Sequence, residues 1–180
     1  MRCALALALA ASACPASGAG ELAIDAPPRD APAPCVRRDL DLGRCEHEDG
    51  TACTGAPGES RRFAELAEGG AVTVVSGPQG AAMLVFSART EGIVAGDPLD
   101  PLDPDNPLLE VVVARGEAEL ALYRGKLGFT PDGEGRVVAA GLFVITEGSD
   151  LHDVPLTAHG LLVDVDGARR CGEVGFVATR

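Results

Sequence analysis

The chain has 180 residues, is 46% hydrophobic but only 3% aromatic, with no Trp and one Tyr, and carries a formal net charge of −12. That length suits one folded domain, at roughly 100–200 residues each, and so negative a surface repels nucleic acid and anionic lipid headgroups. The shortage of flat rings argues against sugar-stacking platforms, base-stacking grooves and aromatic cages.

The opening residues read as an export signal. Arg2 gives a minimal positive n-region, and Ala4 to Ala11 is an unbroken run of Ala and Leu. That run is too short to span a bilayer, which takes about 20 residues, but it suits the h-region of a signal peptide. Ala11-Ser12-Ala13 has the small-x-small pattern that a signal peptidase requires, so residues 1–13 are expected to be removed. Cys14 follows at once, and "ASAC" resembles a bacterial lipobox. The resemblance implies acylation of Cys14, where each buried CH₂ contributes about 0.8 kcal/mol to anchoring. Pro15 stands where an Asp would resemble an inner-membrane retention signal, which points to an outer-membrane lipoprotein. Ordinary cleavage after Ala13, or further on near Gly18, stays open and would give a secreted or periplasmic protein.

Residues 14–34 are rich in Pro and Ala and carry no apolar period, so they read as a tether from the anchor, up to roughly 60 Å long if extended. Residues 35–70 hold Cys35, Cys45 and Cys53 among Gly, Asp and Thr, and are expected to form an irregular disulfide-bonded cap. With Cys171 these make four cysteines in an exported chain, which reads as two disulfides with three connectivities left open. Cys45, His47 and Cys53 form the rival metal reading, but C-x-H-x₅-C is not a zinc spacing. Within Glu59 to Gly69, Phe63, Leu66 and Ala67 follow i, i+3, i+4 and predict one short helix ended by Gly69-Gly70.

From residue 71 to 180 the pattern is strands and turns. "AVTVVSG" runs into "GPQG", then "AAMLVFSA" is apolar on both faces and reads as a central strand. After an acidic loop come "LLEVVVA" and "EAELALY", joined at Arg115-Gly116, then the turn "TPDGEG" and "RVVAAGLFVI". "LTAHGLLVDV" leads into the hairpin signal Asp166-Gly167 and the last strand, "CGEVGFVAT". About seven strands without intervening helices predict an all-β domain, an antiparallel sandwich of immunoglobulin-like dimensions.

The turn Gly77-Pro78-Gln79-Gly80, followed by an apolar strand ending in Arg89 and Gly92, resembles uncharacterised bacterial secreted lipoproteins with Ig-like domains. The resemblance implies a β-sandwich at the cell surface and brings no catalytic residues.

The most unusual stretch is "AGDPLDPLDPDNPLL". Asp97, Asp100, Asp103 and Asp105 supply oxygen ligands that could wrap Ca²⁺, which takes six to eight. The four prolines between and after them are expected to hold the segment extended, so that the carboxylates line a rod and the loop serves as a solvated connector. Asp164-x-Asp166-Gly167 fails the calcium-loop pattern and is explained by a hairpin turn. No G-x-S-x-G elbow exists, and Ser149, His152 and Asp153 are close in sequence without thereby forming a triad. The expectation is therefore a non-enzymatic envelope lipoprotein that acts as a binding or structural module, without cofactor, on an unknown protein or surface polymer. The alternatives are a Ca²⁺-dependent adhesive or Ca²⁺-stabilised domain and a secreted hydrolase.

Overall fold

The computed structural model describes residues 39–54, 59–77, 80–146 and 151–180, all within one compact unit, Pro34–Arg180. The signal peptide, Cys14, the tether and Cys35 lie outside the described residues.

The described residues form ten strands: β1 (Asp41–Glu46), β2 (Arg62–Glu65), β3 (Gly70–Ser76), β4 (Ala82–Thr90), β5 (Leu108–Arg115), β6 (Ala118–Lys126), β7 (Thr130–Pro131), β8 (Val137–Thr146), β9 (Pro155–Val163) and β10 (Arg169–Thr179). The all-β expectation holds. The hydrogen bonding differs from two separate antiparallel sheets, because the strands form one mixed sheet in the order β2-β1-β4-β3-β10-β9-β5-β6, with β8 on the other edge of β4 and β7 beyond it. The joint is β3. Its first half, Gly70 to Thr73, runs parallel to Phe176 to Thr179 of β10, and its second half, Val74 to Ser76, runs antiparallel to β4.

The short helix is not formed. Residues 62–65 instead extend as β2 and pair with β1, Phe63 opposite Cys45. A helix of at most three turns must meet a nucleation cost that so few bonds scarcely offset. As a strand, the segment satisfies its backbone against β1 and lays the Phe63 ring beneath the Arg89 guanidinium, 4.1 Å from its centroid. The stretch expected to be an irregular cap thus contributes two strands to the main sheet, β1 pairing with β4. These two and the two-residue β7 account for the strands beyond seven.

Alternation sets the core. Leu84, Phe86 and Ala88 of β4 and Leu142 and Val144 of β8 share one buried cluster with Val111 and Val113 of β5, Ala158 and Leu162 of β9, and Val174, Phe176 and Ala178 of β10. Phe86 meets Phe176 edge to face at 5.3 Å, the arrangement that aromatic quadrupoles favour. The sheet must fold over to allow this, since Leu42 of β1 approaches Gly160 of β9, four strands away along the hydrogen-bonded order. A bulge between Phe86 and Ser87 in the β4–β8 ladder leaves Gly141 as the additional residue, with φ +82°.

The free edge of β10 before its pairing with β3 is covered. Leu40 N–H donates to the Cys171 carbonyl at 3.3 Å, Gly69 N–H to the Gly175 carbonyl at 2.8 Å, and Gly175 N–H to Glu68 at 3.0 Å. Leu40 can lie so close because residue 172 is Gly, where a Cβ would stand 1.8 Å from the Leu40 carbonyl oxygen. Arg170, buried nearby, donates to Asp39 and, at 2.7 Å, to the Gly92 carbonyl.

The turns are as their residues require. Asp164 N–H donates to Ala168 O, and Gly167 takes φ +83° between β9 and β10. At Thr130 to Arg136, Asp132 accepts from the Glu134 and Arg136 N–H groups at 2.8 and 3.2 Å. The bond from Glu134 N–H, with that from Arg136 and the Arg136 charge, holds the Asp132 carboxyl below its usual range.

Two outcomes follow. Phe176→Ala removes the ring that locks the two halves and is expected to cost about 3–5 kcal/mol, read as a lowered urea midpoint. Because Asp132 is depressed in the fold, its contribution is present above the unfolded carboxylate value and is lost as pH falls through the folded one. An NMR titration is expected to place Asp132 below Asp132 of the urea-unfolded chain.

Candidate functional site

The cysteines come first. Cys45 of β1 and Cys53 are joined in a disulfide with Cα atoms 5.4 Å apart, and Cys53 N–H also donates to Cys45 O at 3.1 Å. The rival metal reading fails here, since both sulfurs are consumed in the bond. His47 instead places Nδ1 2.7 Å from the Ser60 carbonyl and Nε2 3.4 Å from Glu59. Glu59 ties the disulfide loop down by accepting from Thr54 N–H at 3.0 Å and Arg61 Nε at 2.9 Å. Cys171 is also disulfide-bonded. Its partner is not Cys45 or Cys53, so it lies outside the described residues.

Asp97, Asp100, Asp103 and Asp105 do sit together, between β4 and β5, but the segment is not extended as its prolines suggested. It winds through three successive turns. Asp100 N–H donates to Asp97 O, Asp103 N–H to Asp100 O and Asn106 N–H to Asp103 O, at 3.3, 3.1 and 3.1 Å. Each turn is closed a second time by its own carboxylate. Asp97 Oδ1 accepts from Leu99 N–H, Asp100 Oδ1 from Leu102 N–H and Asp103 Oδ1 from Asp105 N–H, at 2.8 to 2.9 Å. The physical reason is a local one: an Asp side chain captures the N–H two residues on, while Pro at the next position pre-sets the φ of a type I turn. A polyproline rod needs neither bond and so loses to the turns.

A triplet, Asp-Pro-Leu, Asp-Pro-Leu, Asp-Pro-Asp, therefore repeats with one turn per unit. The sequence displays that repeat, and it is the signal that a search for longer repeats passes over. The third position of the first two units puts Leu99 and Leu102 outward, 91% and 87% exposed. The carboxylates spread along the turns, and among the described residues no group of three or more His, Cys, Asp or Glu is placed to hold a metal ion.

Asn106 fixes the loop from within. It is 1% exposed, accepts from Asp97 N–H through Oδ1 at 2.9 Å and donates through Nδ2 to the Asp100 carbonyl at 2.7 Å. Gly96, with φ +67°, leaves room for it, since a Cβ there would stand 2.1 Å from Asn106 Oδ1. Outside, Gly128 packs flat against the Asp97–Pro98 peptide, and Phe129 N–H and Leu127 N–H donate to Ala95 O and Pro107 O at 2.7 and 3.2 Å. Nothing in local composition announces Asn106 as the pivot, because its partners are set by the loop's winding.

A second surface runs across the outer side of β1, β2, β4 and β8. Arg61 lies over the Phe143 ring at 5.2 Å and Arg89 over Phe63, beside a groove of about 350 Å³ lined by Leu42, Phe63, Leu66, Arg89, Glu173 and Val174. Burial works against the Arg89 charge, but hydrogen bonds to Glu65 and Asp41 outweigh it and raise its pKa. Acidic partners accompany Arg44, Arg61, Arg62, Arg89 and Arg136, so the surface is a ladder of ion pairs and not a basic patch.

The histidines are dispersed. His152 Nε2 is 3.2 Å from Asp153, while Ser149 lies outside the described residues, and His159 of β9 faces Glu173 of β10 at 3.3 Å. No helix among the described residues is long and apolar enough to cross a membrane. No protein-family model and no curated protein matches the chain.

Asn106→Ala strands Asp97 N–H and the Asp100 carbonyl, and is expected to cost about 1–3 kcal/mol in urea denaturation. Since three of the four carboxylates are tied to their own turns and no metal-holding group forms among the described residues, millimolar Ca²⁺ against chelator is expected to leave Tm unchanged. A rise would reveal a folded-state ligand.

Proposed function

We propose that the chain is a non-enzymatic module of the bacterial cell envelope, exported through its leader and held at the outer membrane by an acylated Cys14. The Cys45–Cys53 disulfide carries this reading, because such bonds form and persist where thiols oxidise and are rare in a reducing cytoplasm. The leader-like residues before Cys14 support it independently. On this reading the Pro- and Ala-rich tether lifts the β domain off the bilayer, and a loop at the end of the sheet meets a protein or surface polymer.

The contact element we favour is the Asp97–Asn106 loop. Two large apolar side chains, Leu99 and Leu102, stand almost bare on a loop whose turns Asn106 ties together. A pre-ordered loop loses little conformational entropy on binding. The surrounding aspartates favour a partner with basic groups at the rim of its apolar site.

The test is the intact mass of the protein purified from its native host. Loss of residues 1–13 together with added acyl mass on Cys14 is the expected result. A molecule that retains Met1 and carries free thiols at Cys45 and Cys53 overturns the reading.

A further inference from the structure

We propose that the Asp100–Pro101 peptide bond is a site of acid-promoted self-cleavage, built by the loop that Asn106 holds. The loop contains three Asp–Pro bonds, at 97–98, 100–101 and 103–104. In each, the side-chain carboxyl can close a five-membered ring on the carbonyl carbon of its own residue, and the leaving group is a secondary amine nitrogen that bears no amide hydrogen. What separates the middle bond from its neighbours is its carbonyl oxygen. Asp100 O accepts two hydrogen bonds, from Asp103 N–H at 3.1 Å and from Asn106 Nδ2 at 2.7 Å. The carbonyls of Asp97 and Asp103 each accept one within the turns, from Asp100 N–H and Asn106 N–H.

Two fixed donors on one carbonyl oxygen are the arrangement that stabilises a tetrahedral oxyanion, and they act most strongly when held in place before reaction. Asn106 is so held. It is buried, and its Oδ1 is committed to Asp97 N–H, which orients Nδ2 onto Asp100 O. The nucleophile is equally confined, because Asp100 Oδ1 is bonded to Leu102 N–H and the side chain sits on an exposed turn open to water and protons. Proximity of this kind replaces a bimolecular encounter with an intramolecular one.

The step balances without an oxidant, reductant or cofactor. An oxygen of the Asp100 carboxyl forms a bond to the Asp100 carbonyl carbon, and the resulting oxyanion rests on Asn106 Nδ2 and Asp103 N–H. The C–N bond to Pro101 breaks, and its electron pair takes the proton that the carboxyl brought. This leaves a cyclic anhydride at residue 100 and a free Pro101 amine. Water then opens the anhydride to two carboxyls, so the net reaction is hydrolysis of one peptide bond. Because the acid form supplies the proton, the rate rises as pH falls. The charged groups on and against the loop are Asp97, Asp103, Asp105 and Lys126 of β6, whose ammonium lies 3.4 Å from Pro104 O.

Cleavage nicks the protein without separating it. β1 to β4 precede the bond and β5 to β10 follow it, yet β4 pairs with β8, β3 with β10, and both pieces fill one core.

The test uses the full chain, incubated native at about pH 4, where an ordinary aspartate carboxyl is roughly half in its acid form, and in parallel in concentrated urea at the same pH. Samples are then reduced, denatured and weighed by intact mass spectrometry. The native chain is expected to break after Asp100 at least ~10-fold faster than after Asp97 or Asp103, and the unfolded chain to break at all three alike. Asp100→Glu, an exposed change that would require a larger ring, is expected to abolish the cut at residue 100 alone. Asn106→Ala is expected to bring it down to the rate of the other two. Should that variant not fold, Asp100→Glu and the urea comparison still decide. Equal rates in the native chain, no cut after Asp100, or a preference that survives in urea overturns the proposal.

Discussion

One strand serves two neighbours, and the fold depends on it. β3 gives its first half to β10 in a parallel ladder and its second half to β4 in an antiparallel one. Parallel pairing cannot be closed by a hairpin. Here the partners, Gly70 and Phe176, are far apart in the sequence and are brought side by side only by the fold. Under the joint, Phe86 of β4 meets Phe176 of β10, and the aliphatic side chains of β5, β8 and β9 close around the pair. Hydrogen bonding and burial thus meet close to the one parallel pairing among the described strands.

That joint leaves a debt at the start of β10, whose edge would otherwise offer unpaired backbone to solvent or to another chain. The start of β1 covers it. Leu40 bonds Cys171, Gly172 admits the close approach, and Arg170 reaches past to Asp39 and Gly92. The cost is visible in Asp39 Oδ1 and Arg170 Nε, buried without a protein partner. A charged group held this far from water is tolerable only with strong bonds to its remaining atoms. It fastens the residues just before β1 to the last strand.

The Asp97–Asn106 loop follows another logic. Its turns are local and repetitive, closed by Asp97, Asp100 and Asp103 in succession, and Asn106 ties them to one another. The leucines at the third positions of the first two units stand outward, almost fully exposed. The same buried amide that ties the turns together also donates to one of the three Asp–Pro carbonyls.

Much of this could be read from the residues alone. The all-β class, strands β3 to β6 and β8 to β10, and the hairpins at Arg115-Gly116 and Asp166-Gly167 follow from alternation and turn chemistry, which act over a few neighbours. The same local rules misled at Phe63, whose helical spacing gave way to a ladder with β1, and at the Asp-Pro stretch, where proline alone suggested extension and the aspartates made turns. The sequence by itself determined the strand class and where the chain reverses, because those choices are made within a strand or a turn. Only the tertiary structure decided that β3 bridges the two halves, that Arg170 meets Asp39 and that Asn106 points at Asp100, because each of these contacts exists only when segments are brought together by burial, and no local pattern records who the neighbour will be.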